Sequence, residues 1–501
     1  MSTSGKGRRI KKLFLAAKLL WIVILAVTLA AGFIFQAPWK VNTLLAILIV
    51  TPTIIPKPIR RYIYLTFALV LAGLAVWVFL PEDSEGWQPY VFKHDLAAFE
   101  AKLHVPDEAN AAVIYNRLME GYDYDASDLA MLQCLPDDAS DDLRYFLEFQ
   151  AIAGPKADLE QTMAGLLEAA QLDKCRFKVS YSPLFMDEQY HRFTAVKMWA
   201  RFLDTSAALD ASSGNPGGGL AKHMAMLRIS HHLYQQGTCL DFLVGAAIQG
   251  MAISGINALV MAGQLSPEQI QATDSTLASS GFDWQANLPR LMDYEKLYTK
   301  HMGVVVYETN DKGAIRHVRP DRHFPATEAN AQSGARTARD KLAAIVVWFV
   351  WPPPSEISRI VEQNFAHCYE MADPNYAWPA EPTVSAKNFS LSMTSGLKPS
   401  DNTYRICRDI DRRAGAGRNG ARILIRLQRH CLSAGGYPQS LDEVLGHDDF
   451  LSDPLVRAAF VYRREGEGFV LYHTGPNGAD DAGIRDRLTG ADDVLIWPLQ
   501  R

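Results

Sequence analysis

The first 81 residues contain three runs of apolar residues separated by short polar links. The runs extend from about Leu13 to Phe35, from Val41 to Ile55 and from Tyr62 to Leu80. A helix of about 20 apolar residues crosses the hydrocarbon core of a bilayer, so the first and third runs predict membrane helices. The second run is shorter and prolines lie near its end, and we expect it to span as one arm of a hairpin with the third. Residues 1–81 are therefore interpreted as a membrane anchor with three transmembrane helices.

Beyond residue 87 the apolar residues recur every three or four positions, which is the spacing of an amphipathic helix. Pro- and Gly-rich breaks separate the periodic segments, which are the spans 110–119, 159–171, 189–208, 220–235 and 266–279. This pattern predicts a mainly helical domain over residues 82–310.

The stretch from Cys239 to Gly263 is nearly all apolar. It predicts either the buried central helix of a bundle or a fourth membrane helix. Polar side chains are costly in lipid, which favours the buried helix. These side chains are Asp241, Gln249 and Asn257. In a membrane helix, Gly245, Gly250 and Gly255 would form the edge that packs closely against a neighbouring helix.

Residues 311–402 read as a mixed region with a long irregular connection. Just before it, Val304–Tyr307 has the composition of a strand and Asn310–Gly313 that of a turn. The apolar run Leu342–Trp351 is too short to span a bilayer and is interpreted as core, with contact at the membrane interface as the alternative. Residues 370–402 are rich in Pro, Ser and Asn and predict the irregular connection.

The last hundred residues predict a separate α+β domain over 403–501. A helical run from Arg418 to Leu432 ends at Gly435–Pro438. Two strands with a short link and a third strand follow it, at Ala459–Arg464, Gly468–Tyr472 and Val494–Trp497. Ile423, Leu424 and Leu427 form the helical stripe that we expect to cover one face of the sheet.

This order of elements resembles the C-terminal part of the major pseudopilins of type II secretion. The marks that carry the resemblance are the long helix, Gly436–Leu441, the hairpin, the turn Tyr472–Gly478 and the acidic terminal loop. They cover about 80 of the 501 residues. The whole chain is also similar to uncharacterised membrane proteins of planctomycete-like bacteria. A pilus subunit is not expected, because the first apolar run lacks the early Glu that pilin assembly uses.

Charge sets the predicted orientation. Residues 1–81 carry ten Lys or Arg and no Asp or Glu. Lys18 lies near the start of the first apolar run and Lys40 in the link after it, and the other eight cations lie before the first run and in the loop 57–61. The positive-inside rule places both in the cytoplasm and the body after residue 81 outside. A cleaved signal peptide over the first run would leave the body outside as well, whereas failure of the second run to span would make it cytoplasmic. The expected location is the inner membrane, multi-pass, with a periplasmic body and the lipid bilayer as partner.

The body after residue 81 is acidic, which excludes a nucleic-acid partner. The whole chain has a net charge of −5, so the ten cations of the anchor leave the remainder at −15. Envelope proteins are the partners that this composition and topology favour.

A calcium site is predicted in the terminal loop. Asp480, Asp481, Asp486, Asp492 and Asp493 lie within fourteen residues, and converging carboxylates are the ligands that Ca²⁺ prefers. Because major pseudopilins hold Ca²⁺ in a comparable loop, the resemblance implies Asp480, Asp481, Asp492 and Asp493 as ligands. A solvated acidic turn is the alternative, and no other cofactor is expected.

Three other motif matches do not predict a catalytic, nucleotide-binding or calcium-binding site. Ser395–Lys398 with Ser400–Asn402 matches two signatures of penicillin-binding enzymes, but they are adjacent in one loop and no Lys-Thr-Gly follows. Gly415, Gly417 and Gly420 are interpreted as a flexible entry to the terminal helix. The segment beginning at Asp123 lacks the Gly and Glu of a calcium-binding EF-hand loop.

Histidine and cysteine give no metal pattern. His223, His231 and His232 are expected to be surface or helix-capping residues. The six cysteines contain no Cys-x-x-Cys pair and permit either disulfides or buried thiols: Cys134, Cys175, Cys239, Cys368, Cys407 and Cys431.

The sequence thus predicts an α+β protein with membrane helices, a helical extracytoplasmic body and a small pseudopilin-like tail. An interaction or assembly role in the envelope is the favoured function. The alternative is an envelope enzyme, such as a hydrolase, whose active site the sequence does not identify.

Overall fold

The structure is a computed structural model of the full chain. It describes residues 69, 86–120, 122, 158–178, 185–317, 351–373, 376, 401–446, 453–454, 458–486 and 491–498. The three apolar runs of the predicted anchor lie outside the described residues except for Leu69, as do Asp123–Cys134 and Ser395–Ser400. The run Leu342–Trp351 is described only at Trp351, which is buried.

The chain divides into two compact units, each built from separate stretches of sequence. The first comprises Met1–Asp95, Lys296–Cys368 and Pro379–Pro399, and the second comprises Leu96–Glu295, Tyr369–Trp378 and Ser400–Arg501. This division differs from the predicted domains, because the C-terminal helix and sheet belong to the same unit as the helices before residue 295.

In the described part of the first unit, three short strands form an antiparallel sheet in the order β1-β2-β3. The strands are β1 (Gln88–Pro89), β2 (Tyr307–Thr309) and β3 (Ile315–His317). The predicted turn over Asn310–Gly313 joins β2 to β3, and Gly313 takes a positive φ of 76° there. The predicted strand at Val304 is wrong, because Val304 ends a long helix and the strand begins at Tyr307.

The second unit is mainly helical, and most predicted helices are present. Its elements are α1 (Lys93–Lys102), α2 (Ala111–Met119), α3 (Leu159–Ala169), α4 (Phe185–Ser212), α5 (Pro216–Tyr234), α6 (Cys239–Met261), α7 (Pro267–Ser279) and α8 (Trp284–Val304), of which α1 and α8 continue into the first unit. The first unit adds α9 (Pro354–Phe365). Side-chain caps explain several starts: Asn110, Asn215, Thr238 and Ser266 each accept a backbone N–H of the first turn.

Helix α6 is the centre of this unit, packed against α4, α5 and the C-terminal helix. By length and composition it is apolar enough to cross a membrane, the one such helix in the described part of the chain, but most of that apolar stretch is buried inside the protein. Of its polar side chains, Gln249 is fully buried and donates to the Ser280 carbonyl at 2.7 Å, whereas the buried Oδ1 of Asn257 accepts no hydrogen bond. This arrangement agrees with the buried-helix interpretation.

Two of the three α6 glycines make close contacts. A Cβ at Gly255 would lie 2.1 Å from the His223 ring, and one at Gly245 would lie 3.0 Å from Tyr234. Nothing lies within 4 Å of a Cβ at Gly250. The predicted close-packing edge therefore comprises Gly245 and Gly255 without Gly250.

The C-terminal part consists of helix α10 (Asp401–Ala434), the short helix α11 (Asp442–Leu445) and a three-stranded antiparallel sheet. The sheet has the order β4-β5-β8, and its strands are β4 (Val461–Glu465), β5 (Gly468–His473) and β8 (Val494–Trp497). A two-stranded ribbon of β6 (Arg485–Asp486) and β7 (Ala491–Asp492) carries the acidic loop. One face of the sheet packs on α10 through Ile423, Leu424, Leu427, Phe469, Leu471 and Ile496, which is the predicted cover.

The glycines before residue 421 lie inside α10, which begins at Asp401, so the predicted flexible entry is wrong. A Cβ at Gly420 would lie 2.9 Å from the Ile496 side chain. The small residue lets the sheet approach the helix closely. The opposite side of α10 packs on α6 and α7, where Arg422 and Arg426 both pair with the buried carboxylate of Asp274 at 2.9 and 3.1 Å.

Candidate functional site

The acidic loop brings four of the predicted aspartates near one another, but in different roles. Asp480 accepts hydrogen bonds from the Tyr472 hydroxyl at 2.7 Å and from the Ala482 N–H at 3.0 Å. The Tyr472 bond holds the pKa of the Asp480 carboxyl below its usual range. Asp481 accepts the Asp492 N–H at 3.2 Å and the Asn477 amide at 3.1 Å. These two side chains organise the loop backbone.

Asp492 and Asp493 each keep one carboxylate oxygen without a partner. Asp493 is fully buried, and its Oδ2 accepts the N–H groups of Asp481 and Gly483 at 2.9 and 2.7 Å. Its Oδ1 and the Oδ1 of Asp492 are buried and accept no hydrogen bond. Burial raises the pKa of Asp493 above its usual value. An orphaned buried carboxylate oxygen is costly, so these two atoms fit a cation.

Gly475 lies where the acidic loop closes, and any larger residue there would displace the neighbouring backbone at Asp492. Gly475 has a φ of 60°, and a Cβ there would lie 2.2 Å from the Asp492 carbonyl oxygen. Among the described residues, no three His, Cys, Asp or Glu side chains are arranged to hold a metal ion. The calcium site at the four aspartates therefore stays a prediction. The Oδ1 atoms of Asp492 and Asp493 are the carboxylate oxygens open to a cation, and backbone carbonyls would have to complete the coordination. The side chain of Asp486 lies outside the described residues.

A second site lies in the helical unit, in a cleft of about 580 Å³ that sequence reasoning did not find. We call it the polar cleft. The starts of α2 and α6 border it, together with the segment 176–178 and one side chain of α4. Its charged lining residues are Asp107, Arg117, Glu120, Arg176, Lys178, Arg192 and Asp241.

Two arginines of the lining, Arg176 and Arg192, are ion-paired. Arg192 donates to Asp241 at 2.6 Å, and Asp241 also accepts the Thr238 hydroxyl at 2.7 Å. Arg176 donates from Nη2 to Glu100 at 2.9 Å. The Nε–H donors of both arginines are buried and have no hydrogen-bond partner. Each guanidinium group also lies over an aromatic ring, Arg176 over Phe99 at 5.2 Å and Arg192 over Phe177 at 4.7 Å.

Two buried amides fix the segment that carries Arg176. Asn110 accepts the Arg176 N–H at 2.8 Å and donates to the Arg176 carbonyl at 3.0 Å, in the manner of a paired strand. Gln236 accepts the Phe177 N–H at 3.2 Å and donates to the Cys175 carbonyl at 2.7 Å. The irregular backbone at Arg176 is therefore held in place by side-chain hydrogen bonds, while Arg192 lies on α4.

Arg290 is a further charged group beside the cleft. It donates from Nε to the Gln236 carbonyl at 3.1 Å. Burial, and then the nearby Arg176, lower the pKa of Arg290 to about 10, and Asp241 acts in the opposite direction.

The prediction that the histidines lie at the surface is wrong for His223 and His232, which are 4% and 1% exposed. His232 bonds to the Tyr115 hydroxyl at 2.9 Å and to the Leu172 carbonyl at 2.8 Å. Burial lowers the pKa of each histidine to about 4, so both are uncharged at neutral pH. His232 is buried with polar partners that no local pattern reveals, whereas the buried Nδ1 of His223 has no hydrogen-bond partner.

The five described cysteines are free thiols: Cys175, Cys239, Cys368, Cys407 and Cys431. Burial raises the pKa of Cys175 beyond the range in which it forms a thiolate. A hydrogen bond to Cys407, and then burial, raise the pKa of Cys239 as well. Neither thiol is in a state suited to nucleophilic attack.

No protein-family model, curated protein or solved structure matches this chain. The site must therefore be interpreted from its own geometry.

Proposed function

We propose that the chain is an envelope protein, anchored in the inner membrane by residues 1–81, whose extracytoplasmic body acts by binding. The observation that carries the location is the position of the anchor's cations, five before the first apolar run and three in the loop 57–61. Cations in short segments beside membrane helices are retained on the cytoplasmic side, which leaves the body on the opposite side.

A binding role is supported by the chemistry of the polar cleft. Its described lining contains no Ser, Cys or His. The one deeply buried carboxylate, Asp241, is committed to Arg192 and Thr238, so it is not poised to accept a proton from a substrate. Rigid, paired charges around a preformed cavity are suited to recognition, which supports binding over the enzyme alternative.

The C-terminal part adds a second interaction element to this proposal. Its helix, hairpin and acidic loop follow the order seen in major pseudopilins, and the buried open oxygens of Asp492 and Asp493 suit a calcium ion. We propose that calcium rigidifies this loop and that the sheet contacts another envelope protein.

Reporter fusions test the location directly. One enzyme reporter that is active only after export and one that is active only in the cytoplasm are each fused after residue 90. The matched fusions are placed after residue 59, within the predicted cytoplasmic loop. The exported reporter should be active after residue 90 and silent after residue 59, and the cytoplasmic reporter should give the reverse.

Cytoplasmic activity after residue 90 would overturn the proposed location. A charge variant adds a check, because replacing Lys57, Arg60 and Arg61 by Gln removes the positive charges that retain this loop in the cytoplasm. We expect this variant to reduce exported activity after residue 90 without lowering the amount of protein.

A further inference from the structure

We propose that Cys239 and Cys407 form a disulfide that ties the start of α6 to α10. In the reduced chain both are free thiols buried inside the helical unit. In the cell the bond needs an oxidising compartment, so there it rests on the proposed extracytoplasmic location. The pairing itself is a property of the fold and can be tested on the purified protein.

The first argument is the register of the two helices. Arg418 of α10 donates to Gln249 of α6 at 2.9 Å, and these residues are 169 positions apart in the chain. Beyond the end of α6, a Cβ at Gly263 would lie 3.3 Å from the Gln428 side chain of α10. The contacts advance in the same direction along both helices, so α6 and α10 are parallel neighbours.

This register places the two cysteines opposite each other. Cys239 and Cys407 are separated along the chain by almost as many residues as Gln249 and Arg418. In each helix the cysteine precedes the polar contact by about three turns and therefore lies on the same face. A hydrogen bond joins the two thiols, so the sulfur atoms are in direct contact. Such an approach is the geometric condition for a disulfide.

The second argument is burial, which protects the finished bond. Cys239 is 6% exposed and Cys407 is fully buried. Glu295 of α8 accepts the Cys239 N–H at 3.2 Å, which holds the first residue of α6 in place. Thiol–disulfide exchange requires a thiolate that the other reactant can reach. The exchange therefore takes place while α10 is away from α6, and packing of α10 then keeps reductants from the bond.

An oxidant of the disulfide class completes the chemistry. One cysteine thiolate attacks the oxidant's disulfide, forms a mixed disulfide and releases one thiolate. The second cysteine thiolate attacks the sulfur of the first cysteine and releases the other thiolate. The two protein sulfurs lose two electrons, the oxidant gains them, and the two thiol protons end on the released thiols. Oxidised glutathione in the test tube and a disulfide-carrying thiol oxidase in the cell are oxidants of this class.

The test uses the full-length protein, reduced and then exposed to oxidised glutathione. Urea just below the unfolding transition lets local openings expose the thiols without loss of the fold. Remaining thiols are alkylated, the protein is digested, and mass spectrometry maps the products. We expect one linked peptide joining Cys239 to Cys407, lighter by two hydrogen atoms than the two thiol peptides together.

Variants check the assignment of the bond. Cys239→Ser and Cys407→Ser should each remove the linked peptide and leave the other cysteine open to alkylation. Cys431→Ser is the matched control, since this thiol lies near the far end of α10 beside Tyr437. It should keep the linked peptide.

The bond should also raise the stability of the protein. Oxidised wild type should unfold at a higher urea concentration than reduced wild type, because the bond closes a long loop in the unfolded chain. Oxidised and reduced forms of either serine variant at position 239 or 407 should unfold at the same urea concentration. The wild-type peptide map needs no variant and decides the proposal even if a serine variant fails to fold.

Free thiols at both positions after oxidation, or a bond from either one to a different cysteine, would overturn the proposal. The result is separate from the location. If the reporter fusions show export and the purified protein does not form the bond, the pairing fails and the location stands. If they show a cytoplasmic body and the purified protein forms the bond, the location fails and the pairing stands.

Discussion

At the residue scale, the two buried histidines make the fold sensitive to acid. His223 lies against the glycine at position 255, and His232 lies between Tyr115 and the Leu172 carbonyl. The folded protein holds both uncharged until the pH approaches about 4. In the unfolded chain each titrates near its ordinary value of about 6.5.

We expect the free energy of unfolding to fall as the pH is lowered from 6.5 to 4. In this window the unfolded chain binds more protons than the folded one, so protonation favours unfolding. Each histidine contributes up to about 3 kcal/mol over the full window. Denaturant unfolding at a series of pH values measures the slope.

His232→Gln should make that slope shallower, because the variant has one buried titrating group fewer. His94→Gln, at an exposed position, is the control and should leave the slope unchanged. An unaltered slope in His232→Gln would show that other groups produce the acid sensitivity.

The open oxygens of Asp492 and Asp493 lead to a prediction about calcium. The melting midpoint of the full-length protein should be higher in calcium than in chelator. A ligand at a hundredfold excess over its Kd stabilises by about 2.7 kcal/mol. Asp492→Asn and Asp493→Asn should remove most of this difference.

The matched control for the calcium experiment is Asp311→Asn, an exposed carboxylate in the turn between β2 and β3. This variant should keep the full calcium effect. Equal midpoints in calcium and chelator for the wild type would remove the metal site.

At the element scale, close helix contacts depend on single glycines. Gly219 lies in the first turns of α5, and a Cβ there would lie 2.7 Å from the Ala207 carbonyl oxygen of α4. A backbone oxygen in a packed helix does not yield as a side chain does. Gly219→Ala should therefore destabilise the protein by about 1–3 kcal/mol, as overpacking does.

Gly250→Ala in α6 is the comparison for Gly219→Ala, because an added methyl meets nothing within 4 Å. It should stabilise the protein by up to about 1 kcal/mol, through the higher helix propensity of alanine. Chemical denaturation of both variants measures the two effects. If Gly219→Ala were as stable as Gly250→Ala, the approach of α4 and α5 would be looser than described.

The elements that local pattern determines were predictable. The helical spacing over 110–119, 159–171 and 266–279 corresponds to α2, α3 and α7 within a few residues. Alternation in the strands likewise predicted that Ile423, Leu424 and Leu427 cover the sheet. For the helices the signal and the structure lie in the same short segment, and for the sheet the stripe on α10 is the nearest apolar cover in sequence.

The polar cleft was not predictable, because it depends on contacts between distant residues. Asn110 and Arg176 are 66 residues apart, and Arg192 and Asp241 are 49 apart. Each reads as an ordinary polar residue in its own helix or loop. The glycines at 415–420 misled for the same reason, since the close contact of Gly420 is with Ile496, a distant residue on β8.

At the scale of the whole molecule, the C-terminal helix is a structural part of the bundle. Ala421 and Ile425 lie in the same buried cluster as Ile253 and Ile256 of α6. Removing residues 401–501 would expose that surface and leave Asp274 without its two arginines. The apolar surface newly exposed to water costs free energy in proportion to its area.

We therefore expect a protein ending at residue 400 to lose its cooperative melting transition. A protein ending at Gly435 keeps α10 and should melt at an intermediate temperature, because only the sheet is missing. Circular dichroism and limited proteolysis measure both. A truncation at 400 that melts like the full chain would restore the view of the tail as a separate domain.

The interleaving of distant stretches in one compact unit also has a consequence during synthesis. Helix α6 is complete when residue 261 has been made, but its partner α10 begins only at residue 401. At elongation speeds of about 5–20 residues per second this delay is on the order of ten seconds. During this delay the nascent chain contains the apolar helix α6 without α10, the helix that later packs on it. A chaperone or a translocation channel can bind the chain in this period. A unit that cannot finish folding early remains unfolded for longer, and only an unfolded chain can pass through a narrow pore.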